Sequence, residues 1–131
     1  PDDPETMNNL GYFLADHNIR LDEAERLITQ ALKKSPTAPH IIDSAAWVAY
    51  RKNDLDKALK LAQKAQALST SPDITLHLAE ILWVKGDVDA AHKLFKDLQN
   101  LPVINPDDTF QTELKKTLQR LGVGLNTPVA P

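Results

Sequence analysis

Apolar residues recur along this chain at the spacing of amphipathic helices, in short segments separated by polar breaks. The pattern is clearest between residues 40 and 68, where the polar pair Asn53-Asp54 divides two apolar-periodic halves. Large side chains recur at helical spacing through both halves: Ile42, Trp47, Tyr50, Leu55 and Leu61. The stretch therefore predicts two helices joined by a tight turn.

The same pattern occurs on both sides of this stretch, with a period near 34 residues. Ala58 lies 34 residues after Ala24 and 33 residues before Ala91. Small residues in the first half of each unit follow at separations of 35 and 33: Gly11, Ala46 and Ala79. A period of this length with two helices per unit is the spacing of tetratricopeptide (TPR) repeats.

Prolines and capping residues give the boundaries of the predicted helices. Asp3, Asp54, Ser71 and Asp87 are candidate caps, because short polar side chains accept hydrogen bonds from the free N–H groups of a first helical turn. The predicted helices span residues 4–17, 21–34, 39–51, 55–68, 72–85, 88–100 and 106–121. None of the nine prolines falls inside a helix, where each would cost about 3 kcal/mol.

These elements predict an all-α fold in which three helix-turn-helix repeats stack as an α-α superhelix, or solenoid. The repeats cover about 4–36, 39–71 and 72–101. The helix at 106–121 is expected to cap the last apolar face, because terminal units of a solenoid must shield it from water. Residues 1–121 then form one domain, and the Gly- and Pro-containing segment 122–131 is predicted to be a flexible tail.

The motifs of each unit resemble those of the TPR family. The family has a small residue in its first helix, two alanines seven places apart in its second and a closing proline; unit one has Gly11, Ala24, Ala31 and Pro36. The resemblance implies a right-handed superhelix whose leading helices line a concave groove. It also implies that these residues face the groove: Asn8, Asn9, Tyr12, His40, Asp43, Ser44, Trp47, Tyr50, Arg51, His77, Glu80 and Trp83.

This groove is the predicted binding site for a partner peptide or protein segment. Tyrosine and tryptophan combine a large buried area with a hydrogen-bonding edge, which suits interface anchors. The alternative is that Tyr50 and Trp83, which neighbour core positions, pack within the repeats. Chaperone-binding members of the family capture a terminal carboxylate with cationic residues, but Asp73 and His77 stand at two of those positions here. We therefore do not expect carboxylate capture of that kind.

Composition and charge narrow the other functions. The net charge is −3 with no basic block, which disfavours nucleic acid as a partner, and no apolar run is long enough to span a bilayer. The absence of cysteine excludes disulfides and thiolate zinc sites. His40 and His77 could approach each other as metal ligands, but neither belongs to an i, i+4 pair. No metal, cofactor or catalytic site is predicted, and the chain is not expected to be an enzyme.

Two strings resemble a narrower group of proteins. NNLGYFLAD (8–16) and IIDSAAWVAYRKNDLDKAL (41–59) are similar to the C-terminal repeats of Gram-negative TPR outer-membrane lipoproteins. Better-studied members of that group are adaptors that bring a carboxyl-terminal processing protease to its substrates. The resemblance implies a fragment of a larger cell-envelope protein on the periplasmic side of the outer membrane, although a cytoplasmic location stays open.

The favoured function is therefore a protein–protein interaction scaffold or adaptor. The alternative is a structural module that packs on other repeats, or on copies of itself as a homo-oligomer, through the first helix with Tyr12 and Phe13. A further expectation is that residues 125–131 occupy the groove as a pseudo-ligand.

Overall fold

The computed structural model describes residues 3–125, which form seven α-helices and, within that range, no β-strand. The helices are α1 Pro4–Asp16, α2 Leu21–Lys34, α3 Pro39–Arg51, α4 Leu55–Leu68, α5 Pro72–Lys85, α6 Val88–Gln99 and α7 Phe110–Leu121. None of these helices is both long enough and apolar enough to cross a membrane.

The helices pack as consecutive pairs, α1 with α2, α3 with α4 and α5 with α6. Each later pair also contacts the pair before it: α3 packs on α1 and α2, and α5 packs on α3 and α4. The last helix, α7, lies against α5 and α6. The predicted fold class, all-α helix-turn-helix repeats followed by a capping helix, is confirmed.

Side-chain caps explain why several helices begin where the sequence predicts. The carboxylate of Asp3 accepts a hydrogen bond from the Thr6 N–H at 3.1 Å, and Asp54 and Asp87 cap α4 and α6 in the same way. Ser71, predicted to cap α5, makes no such side-chain bond. There the first helical residue is Pro72, whose fixed φ suits a helix start without a cap.

The core is built from two main clusters of buried side chains. One joins α1, α2 and α3 around Met7, Ile28 and Trp47, and the other extends from α3 to α7 around Ile81 and Phe95. These two clusters hold the leading helices α1, α3 and α5 side by side, which fixes the surface that they share.

The capping helix begins later than predicted, at Phe110 rather than near residue 106. The side chain of Asn105 accepts a hydrogen bond from the Asp107 N–H, and Asp108 accepts one from the Phe110 N–H, each at 3.0 Å. Because these side chains stabilise turns before the helix, Asn105 and Pro106 lie in a loop and α7 starts after it.

The predicted flexible tail is wrong for its first four residues. Val123 and Leu125 are buried in the core cluster that includes α7, and the imidazole Nε2 of His92 lies 3.0 Å from the carbonyl oxygen of Gly124. Gly122, at φ 75°, allows the chain to turn back after α7. Residues 126–131, and most of the proposed pseudo-ligand, lie outside the described part of the chain.

Candidate functional site

A central cavity of about 720 Å³ lies between the leading helices α1, α3 and α5 and the capping helix α7. The leading helices run side by side, so equivalent positions of successive repeats face the same space. The structure brings most of the predicted groove residues to this cavity: Asn8, Asn9, Tyr12, His40, Asp43, Ser44, Trp47, Arg51, His77 and Glu80.

Tyr50 and Trp83 do not line the cavity, so their predicted place in the groove is corrected. Tyr50 packs against both main core clusters, and Trp83 packs against the cluster that extends to α7. The two residues occupy equivalent positions, 33 apart in the chain, three residues beyond Trp47 and Glu80. Three residues on a helix correspond to a net rotation of about 60°, so both side chains lie next to the face that lines the cavity and pack into the core clusters beside it.

Trp47 borders the cavity but is 3% exposed. Its indole Nε1–H donates to Asp16 Oδ1 at 3.2 Å, and its ring stacks on that of His77 with centroids 4.1 Å apart. The guanidinium of Arg51 lies 5.0 Å from the indole centroid. Trp47 is therefore a packed part of the wall, and its surface is already covered by the protein itself.

A chain of hydrogen bonds crosses the cavity wall through His77. The imidazole Nδ1–H donates to Asp43 Oδ2 at 2.8 Å, and the Tyr12 hydroxyl lies 3.2 Å from Nε2. Burial lowers the pKa of His77, but Asp43, Glu80 and Asp73 outweigh it, so the pKa is raised above its ordinary value. Burial, with help from nearby carboxylates, raises the pKa of Tyr12 well above its usual range. The phenol therefore remains protonated and serves as a hydrogen-bonding group.

Glu80 is the most deeply placed acid of the cavity, with its side chain 3% exposed. Arg120 of α7 donates to both carboxylate oxygens, and the Tyr50 hydroxyl donates to Oε2 at 2.7 Å. The hydrogen bond with Glu80 is the main reason that the pKa of Arg120 is raised. This ion pair ties the capping helix to the third repeat.

The α7 residues of the cavity were missed from the sequence. They are Glu113, Lys116, Thr117 and Arg120. Their spacing of three and four residues places them on one helical face. The signal that could have identified that face is Glu80, since a carboxylate on the inner side of a repeat requires a cation to be stable there.

Further polar contacts to carboxylates lie around the cavity. His40 Nε2 is 2.6 Å from Glu5 Oε1, and Arg51 Nη2 is 3.7 Å from Asp16 Oδ1. Among residues 3–125, no group of three or more metal-ligating side chains is placed to hold a metal ion. Each of the two histidines weighed as ligands, His40 and His77, contacts its own carboxylate.

Three buried polar atoms of the cavity residues have no hydrogen-bond partner in the described part of the chain. They are Asn8 Oδ1, Asp43 Oδ1 and Arg51 Nε. Asn8 and Asp43 occupy equivalent positions of α1 and α3, 35 residues apart, and each is 6% exposed. The wall thus presents two buried acceptors whose hydrogen-bonding capacity is unused.

Comparison with known proteins gives a match to one family model and to two relatives. Residues 44–108 match the family model described as tetratricopeptide repeat. The chain is 42% identical over 82 residues to a TPR repeat-containing protein of Pseudomonas aeruginosa, covering 61% of this chain and 14% of that protein. It is 31% identical over 115 residues to the interferon-induced protein with tetratricopeptide repeats 3 of Mus musculus, covering 80% of this chain and 27% of that protein. The matched segments thus span less than a third of either relative.

Proposed function

We propose that this chain, whose residues 44–108 match the tetratricopeptide repeat model, is a protein–protein interaction module that holds a segment of a partner in the central cavity. Stacked helical repeats generally create concave surfaces of this kind and use them for binding. The chain contributes the cavity, its hydrogen-bonding groups and the capping helix that closes one side. The family is typically a scaffold rather than a catalyst, and the proposal includes no reaction.

The observation that carries this proposal is the cavity of about 720 Å³ between the three leading helices and α7. Its size falls within the range of pockets that bury small ligands or short segments. Tyr12 is half-buried at the wall, and Asn9 and His40 are exposed beside it. An aromatic body surrounded by polar groups suits an extended peptide, whose backbone offers donors and acceptors along its whole length.

The direct test fills the cavity without breaking a contact. Asn9 is exposed, lines the cavity and makes no side-chain hydrogen bond within the described residues, so Asn9→Trp should obstruct binding while preserving the fold. Gln63→Trp, at an exposed position of α4 outside the cavity, is the matched control. Trp47→Ala is unsuitable, because loss of a buried tryptophan costs about 3–5 kcal/mol of stability.

Partners are first isolated from envelope extract with the wild-type protein and identified by mass spectrometry. Their affinities for both variants are then measured by calorimetry, with circular dichroism as a check on folding. We expect binding to Asn9→Trp to be at least about tenfold weaker, equivalent to about 1.4 kcal/mol, and Gln63→Trp to match the wild type. Equal binding by a folded Asn9→Trp protein would remove the cavity from the proposed function.

We further propose that the parent protein is an outer-membrane lipoprotein facing the periplasm, where it acts as an adaptor for a carboxyl-terminal processing protease. The support is the resemblance in segments 8–16 and 41–59, together with the identity to the Pseudomonas aeruginosa protein. Fractionation of cells producing the full-length parent tests the location, and co-purification with the protease tests the adaptor role. Recovery of the parent in the cytoplasmic fraction would contradict both.

A second candidate function, packing against another helical repeat, is favoured by the exposed face of α1. Leu10 is 47% exposed and Phe13 is 52% exposed, whereas Val48 and Ile81, which are equivalent to Phe13, are 3% and 0% exposed. The equivalents are covered because α3 and α5 pack on the preceding repeat. The face of α1 thus has the character of an inter-repeat interface.

The occupant that this face fits is a preceding helical repeat of the parent protein. We expect Phe13→Asp to lower the melting temperature of the full-length parent by several degrees while hardly changing that of this chain alone. Light scattering over a concentration series tests the alternative of a homo-oligomer. Equal effects of Phe13→Asp on the parent and on this chain would contradict packing against a preceding repeat.

A further inference from the structure

We propose that the central cavity binds a cationic side chain of its ligand, a lysine ammonium or an arginine guanidinium, at an acceptor site formed by Asn8, Asp43 and Asp73. The inference rests on the proposed function, since it specifies the chemistry of the segment that the cavity holds. It concerns the part of the cavity nearest the beginnings of α1, α3 and α5.

The first observation is the pair of unused acceptors on neighbouring helices. Asn8 Oδ1 and Asp43 Oδ1 are buried, line the cavity and have no hydrogen-bond partner within residues 3–125. A buried acceptor without a donor is costly, because it has lost water and gained nothing in return. A ligand that brings N–H donors to these two oxygens recovers that loss, and a ligand that brings only acceptors does not.

The second observation is that Asp73 adds a negative charge to the same region. It lies one helical turn before His77 on α5, lines the cavity and is exposed. The other carboxylates at the cavity each pair with a cationic group of the protein. No ion pair includes Asp73 in the part of the chain that the structure describes, so its charge is available to a ligand.

The arginine side chains that line the cavity pair with carboxylates outside the acceptor site. Arg120 is committed to Glu80, and Arg51 lies beside Asp16 near the ends of α1 and α3. His77 donates to Asp43 through Oδ2 and leaves Oδ1 of the same carboxylate unbonded. An anionic ligand at the acceptor site would meet Asp43 and Asp73 at close range, which disfavours it. An ammonium or guanidinium would donate to Asp43 Oδ1, while His77 keeps its bond to Oδ2, and would also be attracted by the charge of Asp73.

Four short peptides test the chemistry directly. Each is a blocked pentapeptide of alanine with lysine, arginine, norleucine or glutamate at its centre, titrated into the ¹⁵N-labelled protein while the Asn8 side-chain amide and the Trp47 indole N–H are followed by NMR. We expect the lysine or arginine peptide to shift these resonances and to bind about tenfold more tightly than the norleucine peptide, a difference of about 1.4 kcal/mol. Added salt should weaken binding of the cationic peptides, because screening reduces the attraction between exposed charges.

Two variants assign the effect to the site. Asp73→Asn should weaken binding of the cationic peptides about fivefold without disturbing the fold, and Asp43→Asn should weaken it further. Asp89→Asn, which removes an exposed carboxylate of α6 outside the cavity, is the matched control and should bind like the wild type. Unchanged binding in both Asp73→Asn and Asp43→Asn would overturn the inference.

The outcomes also separate this inference from the proposed function. If the norleucine or glutamate peptide binds as well as the lysine peptide and shifts the same resonances, the cavity holds peptides but has no cation site. If none of the four peptides binds at millimolar concentration, the cation site is overturned. In both cases the proposed function is tested independently, by comparing the affinity of the natural partner for Asn9→Trp with its affinity for the wild type.

Discussion

Arg120 on α7 donates two parallel hydrogen bonds to the carboxylate of Glu80 on α5, with Nη2 2.7 Å from Oε1 and Nη1 3.1 Å from Oε2. The Glu80 side chain is 3% exposed, whereas that of Arg120 is 51% exposed. This forked arrangement is the strong form of an Arg–carboxylate pair. It fastens the capping helix across the third repeat and closes one side of the central cavity.

The first prediction concerns this ion pair. Arg120→Ala leaves a buried carboxylate with only the Tyr50 hydroxyl as donor, and we expect it to lower the free energy of unfolding by about 2 kcal/mol, the usual range for a hydrogen bond to a charged group. Urea denaturation measures the loss. Lys115→Ala, on an exposed position of the same helix, should change stability by less than about 0.5 kcal/mol.

A double variant separates the charge from the packing of this pair. In Glu80→Gln the buried group is neutral, so the further loss of the guanidinium should cost less than it does in the wild type. The effects of Glu80→Gln and Arg120→Ala should therefore be strongly non-additive, as expected for residues in direct contact. Additive effects would show that the pair contributes little to stability.

The ends of most helices followed from local signals in the sequence. Pro39 and Pro72 start helices because their fixed φ suits the first helical position, and Asp54 and Asp87 cap the helices that follow them. Each of these signals acts within a few residues, so no knowledge of the tertiary structure was needed. The late start of α7 also has a local cause, because the Asn105 side chain accepts from the Asp107 N–H and stabilises a turn before the helix.

The contacts of the site depended on tertiary structure that periodicity does not give. Arg120 and Glu80 are 40 residues apart, and the polar face of an amphipathic helix looks the same whether it meets water or a buried acid. Likewise the family resemblance implied that Trp47 faces the groove, but it could not show that Asp16 and His77 already cover its ring. The repeat predicted which helices share a surface, but it did not predict which side chains on that surface are accessible.

The second prediction is a pH dependence of stability that originates at His77. Its imidazole faces Tyr12 on α1, Asp43 and Trp47 on α3, and Asp73 and Glu80 on its own helix. Burial opposes the charged form, but the carboxylates outweigh it and the pKa is raised. Protonated His77 therefore stabilises the fold fully below the unfolded pKa of about 6.5, and this contribution is lost as the pH rises through the raised pKa.

Urea denaturation between pH 6 and pH 9 measures this effect. The free energy of unfolding should fall as the pH rises, and the fall should be smaller in His77→Gln, which cannot titrate, and in Asp43→Asn, which lacks the main source of the raised pKa. His17→Gln, at an exposed position, should retain the wild-type slope. A slope that is unchanged in His77→Gln would assign the pH dependence to other groups.

The third prediction concerns the segment after α7. Leu125 is 8% exposed and belongs to the core cluster of the third repeat and α7, so Leu125→Ala should destabilise the protein by about 2 kcal/mol. Ile104→Ala, at a position that is 89% exposed, should have little effect. Equal urea midpoints for the two variants would show that residues 122–125 do not contribute to the core.

The last prediction tests how side-chain sizes are matched between the helices of one repeat. A Cβ atom added to Gly11 would lie 2.7 Å from Cδ1 and 2.8 Å from Cγ1 of Ile28, and 3.2 Å from the carbonyl oxygen of Ala24. In the second repeat the equivalent pair is Ala46 and Ala62, and in the third it is Ala79 and Phe95, so the pairing of a glycine with a large side chain is a feature of the first repeat. Gly11 is therefore the counterpart of a large Ile28, which is 2% exposed and has little room to move.

Gly11→Ala should consequently destabilise the protein by about 1 kcal/mol. Overpacking of this kind costs about 1–3 kcal/mol, and the better helix propensity of alanine recovers about 1 kcal/mol of it. Shortening the opposing side chain in Gly11→Ala/Ile28→Val should relieve the clash with Cδ1, so the double variant should be more stable than the sum of the single effects predicts. Thermal unfolding of the four proteins measures this coupling, and a Gly11→Ala variant more stable than the wild type would contradict the size matching.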